Sequence, residues 1–145
     1  MFNPSRDEAR RFFFETWRKH RAGVPLEGLE RALIAVLLLH PEYHEMLEQP
    51  DRFTDRDWSP ESGETNPFLH LSLHLAVEEQ VSIDQPPGIR AAVETLTRKH
   101  GSDHDARHAV IECLGEVVWH AQRHGTPFDA KLYFECLERQ GGVER

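Results

Sequence analysis

The chain predicts an all-α protein, a single-domain helical bundle of about six helices over residues 1–145 with one long loop at about 50–65. Three observations predict it. Residues that cap helices stand ahead of apolar runs with helical period, at Ser5, Asn66, Asp103 and Thr126. No stretch alternates with the two-residue period of a half-buried strand, and proline and glycine break the sequence at helix-length intervals. A length of 145 residues is that of one ordinary domain, able to bury a core without disulfides or a structural metal.

Taken in order, Ser5 with Glu8 resembles a capping box and opens a helix to about Arg21, closed before Gly23. Pro25 starts a second, Leu26 to His40, with Leu26, Leu29, Leu33, Val36 and Leu37 on one face. Pro41 either kinks it or begins a short piece from Glu42 to Gln49. Asn66-Pro67 is an N-cap followed by proline at the first helical position, and that helix runs to about Ile83. Pro86-Pro87 leads to a helix from Gly88 to His100. Asp103 caps the next, to His124, and Thr126-Pro127 caps the last, to about Arg139, before a Gly141-Gly142 tail that should fray. Between the helices, the 50–65 connection is too long for a turn, and Trp58 in its middle predicts an ordered loop packed over the His40/His44 end of the second helix.

Composition excludes several classes. With 39% hydrophobic and 29% charged residues, the chain is neither collagen-like nor wholly disordered. Its longest apolar run, Ala32 to Leu39, is far short of a membrane span, and Met1-Phe2-Asn3-Pro4 does not open like a signal peptide. Cys113 and Cys136 have no metal or redox spacing, so a reducing cytoplasm is the expected compartment and Cys113 is expected as a packed thiol. The net charge of −8 argues against broad contact with nucleic acid or anionic lipid. No phosphate loop, nucleophile elbow or His-Glu-x-x-His is present, so catalytic residues stay unassigned.

Histidine is the unusual residue, with ten in the chain. His20, His100 and His124 fall in the last turns of predicted helices, where a cation meets the free carbonyls, and His104 falls in a first turn beside Asp103. The others need a different explanation. On the helix after Asn66, His70 and His74 share a stripe with Glu78, flanked by Leu69, Leu73 and Val77 on one side and Leu71 and Leu75 on the other. His40 and His44 repeat the spacing and continue the Leu26-Leu33-Leu37 face if helical phase survives Pro41. Histidines four apart lie on one helix face within reach of one ion, and facing helices of a bundle can complete the ligand set. The candidate metal ligands are therefore His40, His44, His70, His74, Glu78 and Glu112, for zinc, iron or manganese. His108, Glu112, Glu116 and His120, each four apart, read equally as a solvated face.

Several motifs carry a resemblance. Met1-Phe-Asn-Pro-Ser-Arg, His40-Pro-Glu-Tyr-His44, Asn66-Pro-Phe-Leu-His-Leu-Ser-Leu-His74, Ser82-Ile-Asp-Gln-Pro-Pro-Gly-Ile89, Cys113-Leu-Gly-Glu116 and Trp119 resemble, in this order, the bacterial domain-of-unknown-function 1841 family. The resemblance covers nearly the whole chain. It implies a small cytoplasmic bacterial protein, helical, and no activity to carry over.

The first helix offers an alternative. It sets Arg6, Arg10, Arg11, Arg18, Lys19 and Arg21 against Asp7, Glu8 and Glu15, interleaved with Phe12, Phe13, Phe14 and Trp17. A non-catalytic adaptor could hold an acidic protein partner there or on the Trp58 loop, its histidines being a hydrogen-bonded core network. The other use of such a helix is to bury its aromatics and pair its arginines with the acidic remainder of the chain.

Overall fold

The computed structural model describes residues 6–58 and 66–141, and every regular element among them is helical. Among the described residues eight α-helices follow one another: α1 (Arg6–Arg21), α2 (Leu29–Leu38), α3 (His44–Leu47), α4 (Pro50–Phe53), α5 (Pro67–Ile83), α6 (Ile89–His100), α7 (Asp103–His124) and α8 (Ala130–Gln140), with a 3-10 turn at Pro41–Tyr43. No helix among the described residues is long and apolar enough to cross a membrane. The all-α expectation holds; the count exceeds six because the 3-10 turn opened by Pro41 leads into the short α3 and Pro50 starts the short α4.

Helix ends explain the remaining differences. Helix α2 begins at Leu29 rather than at Leu26, because Gly28 takes the positive φ of 56° that turns the chain into it. Ser102, not Asp103, caps α7: its hydroxyl accepts from the Asp105 N–H at 3.3 Å, which leaves Asp103 as the first helical residue. Asp129, not Thr126, caps α8, accepting from the Leu132 N–H at 3.2 Å. Asn66 caps α5 as expected, its side-chain oxygen accepting from the N–H groups of Phe68 and Leu69 at 3.0 and 3.3 Å. Ser5 and residues 59–65 lie outside the described residues.

Backbone contacts divide the chain into two compact units, residues 1–75 and 76–145, with the boundary inside α5. In the first unit Phe13, Phe14 and Trp17 of α1 pack with Leu33 and Leu37 of α2, Leu47 of α3, Phe53 of α4, and Phe68, Leu71 and Leu75 of α5. Burial on this scale, at roughly 25 cal/mol per Å² of apolar surface, is the main force ordering the short helices. Trp58 joins this core, stacked on Phe53 at 6.4 Å and edge-on to Phe68 at 5.6 Å. The buried Arg10 fixes the adjoining backbone, donating to the carbonyls of Thr54 and Arg56 at 2.8 and 2.7 Å while its guanidinium lies 4.4 Å from the Phe68 ring. So Pro50–Phe53 of the expected loop is helical and Trp58 is packed. Four further cations of α1 are ion-paired: Arg6 with Asp57, Arg18 with Glu15, Lys19 with Glu30 and Arg21 with Glu48.

In the second unit α6, α7 and α8 pack mutually around Val93, Leu96, Val110, Leu114, Val117 and Leu137. The buried Tyr133 hydroxyl donates to the Gln80 side chain at 2.8 Å, and burial raises its pKa. Arg90 covers the C-terminus of α5, donating to the carbonyls of Val81 and Ser82, each at 3.0 Å. Cys113 and Cys136 form a disulfide between α7 and α8. Cys113 is therefore not the packed free thiol expected, and the inference from cysteine use to a reducing compartment loses its premise.

Candidate metal centre

Three imidazoles converge in the first unit, and different local causes bring each there. His70 and His74 lie one turn apart on α5, which Asn66 and Pro67 start in fixed phase. The apolar neighbours Leu71 and Leu75 are fully buried and draw that face inward. His74 is 2% exposed and His70 half-buried. His40 arrives otherwise. Helix α2 ends at Leu38 because Pro41 has no N–H to continue it, and His40 sits in a non-helical conformation (φ −125°, ψ 66°) at the entry to the 3-10 turn. The expected continuous phase from α2 through Pro41 is broken. His40 is nonetheless 1% exposed, turned inward by this break and not by helical register.

The rings meet edge to face. His40 lies 4.4 Å from His74 and 5.2 Å from His70, and His70 lies 4.8 Å from His74, centroid to centroid, with interplanar angles of 66°, 75° and 78°. The ligand atoms of these three histidines lie within 4.8 Å of one another. His40 Nδ1 is 2.8 Å from the Val36 carbonyl oxygen, which can only accept, so Nδ1 carries a proton and donates it. His74 Nε2 and His70 Nε2 are 3.2 Å apart, so in the protein as described one donates to the other. Tyr43 closes one side, stacked on His40 at 5.7 Å and edge-on to His70 at 6.2 Å. Burial, with the nearby Glu42 charge adding to it, raises the Tyr43 pKa and favours a neutral phenol beside the imidazoles.

The other sequence candidates have other partners. His44 Nε2 donates to the Leu37 carbonyl at 2.6 Å, and its ring packs 4.4 Å from Trp17. Glu78 is ion-paired with Arg107 at 2.7 Å. Glu112 is exposed and accepts from the Gln140 amide at 3.1 Å. None of these three belongs to the histidine group. Of the row on α7, Glu116 is exposed, His120 half-buried beside His124, and His108 half-buried with its ring 4.2 Å from His104. The four-residue spacing of that row describes a ligand face and a solvated stripe equally well.

Residues 5–139 match the family model described as "Domain of unknown function (DUF1841)". The chain belongs to the DUF1841 family. No curated protein and no solved structure matches it. Family membership extends over both units and names no chemistry, so what this DUF1841 chain does rests on its own side chains.

Proposed function

We propose that this protein is a metal-binding helical protein whose buried imidazoles hold one divalent ion. His40, His70 and His74 are the inner ligands, three side chains of the first unit with ligand atoms close enough to share an ion. The observation that carries this reading is the bond from His40 Nδ1 to the Val36 carbonyl. Metal-binding histidines characteristically anchor one ring nitrogen on such an acceptor, which fixes the tautomer and presents the other nitrogen to the ion. A set of neutral imidazoles without carboxylate or thiolate suits zinc better than manganese, which prefers oxygen ligands, and better than iron. Three imidazoles leave the fourth position of a tetrahedral zinc to water or another donor.

A second reading is a non-catalytic adaptor with a hydrogen-bonded histidine core. It is favoured by the 3.2 Å contact between His70 and His74, which satisfies both rings in part without metal. Cobalt(II) added to metal-free, untagged protein separates the two. Under the metal reading it gives a visible absorption spectrum of tetrahedral cobalt that His74→Ala abolishes. A spectrum indistinguishable from cobalt in buffer supports the histidine network instead.

A further inference from the structure

A second histidine pair stands at the far end of α7 from His104 and His108. His120 and His124 are four residues apart on one unbroken helix, with ring centroids 4.5 Å apart and planes inclined at 52°. His120 is half-buried and His124 exposed, and their ring contact is with each other. We propose that His120 and His124 form a bidentate surface site for a late first-row divalent cation, nickel(II) or copper(II), independent of the buried histidines.

Three features support it. A continuous helix holds side chains four apart on one face, so both imidazoles reach one ion without rearranging the backbone. The pair occupies the last two turns of α7, where the carbonyl end of the helix dipole favours positive charge. Gly125, in a left-handed conformation, ends the helix directly after His124. The neighbouring cation, Arg123, lies 5.3 Å from the Trp119 ring on an adjacent stripe, which holds its charge by cation–π contact. Two imidazoles leave most coordination positions to water, an arrangement that nickel and copper accept with higher affinity than manganese or iron. The exposed position makes the ion exchangeable.

The test is a nickel(II) titration of the full, untagged, isotope-labelled chain, followed by paramagnetic broadening of backbone amide signals. Signals from residues 116–126 should broaden at the lowest nickel concentrations among exposed segments. His124→Asn should weaken that response about tenfold or more, because it removes the chelate. His100→Asn, another histidine at the last position of a helix, should leave it unchanged. Equal melting temperatures for wild type and His124→Asn confirm that the exposed substitution spares the fold. No broadening near residues 120–124 at millimolar nickel, or the same response in His124→Asn as in wild type, overturns the proposal.

Discussion

His70 and His74 on α5, and His120 and His124 on α7, have the same sequence spacing and similar ring separations, with centroids 4.8 and 4.5 Å apart. They differ in what surrounds them. The α5 pair meets a third imidazole, His40, and a neutral phenol, Tyr43, with His40 and His74 at 1% and 2% exposure. The α7 pair stands at a helix end with His124 open to water. Spacing therefore sets reach, and burial sets cost. A buried imidazole that loses its partners loses about 1–3 kcal/mol, whereas an exposed one is resolvated. Metal at the first pair should be coupled to folding, and metal at the second should not.

The largest expected effect is on the buried pair. Replacing His70 and His74 together by alanine should destabilise the protein by about 3–5 kcal/mol, combining a core cavity with the lost ion, and should remove tightly held metal. Denaturant unfolding and metal analysis check both. Equal stability to wild type would break the comparison at its root. Next, a chelator should lower the wild-type melting temperature, since an ion at a thousand times its dissociation constant contributes about 4 kcal/mol. The same chelator should leave the melting curve of the His70→Ala/His74→Ala variant in place. A smaller loss is expected for Glu78→Gln, which breaks the pair with Arg107. The side chains are 31% and 19% exposed, so about 1 kcal/mol is at stake, with metal content unchanged. A fall in bound metal in that variant would return Glu78 to the ligand set. The smallest effect is for His120→Ala/His124→Ala, with stability within about 0.5 kcal/mol of wild type and tightly held metal intact.

The sequence was most legible where one local rule decides the outcome. Asn66-Pro67 fixed the start of α5 and hence the phase that puts His70 and His74 inward. The apolar neighbours of those histidines, Leu71 and Leu75, predicted their burial from periodicity alone. Where two rules compete, boundaries moved: Gly28 overrode Pro25 as the start of α2, and Ser102 overrode Asp103 as a cap by standing one residue earlier with extended backbone. His40 was named for a register that Pro41 interrupts; its inward position depends on the 3-10 turn, which no helical wheel contains. Glu78 lay on the right stripe, yet Arg107, 29 residues away, takes its carboxylate. The Cys113–Cys136 disulfide is equally a product of tertiary packing, since a separation of 23 residues matches no spacing motif. Local chemistry wrote the helices; long-range pairing chose which polar groups remain available.

The central claim is that the buried imidazoles hold a metal ion, and metal per chain tests it most directly. Untagged protein, stripped of metal and resupplied at neutral pH with zinc, iron and manganese in turn, should be freed of weakly held ions and analysed for each element. Close to one equivalent of zinc per chain is expected in wild type and in His120→Ala/His124→Ala, and almost none in His70→Ala/His74→Ala. Less than about a tenth of an equivalent with every metal, at a pH where histidine ligands are free to bind, would contradict the account and leave the histidines as a hydrogen-bonded core.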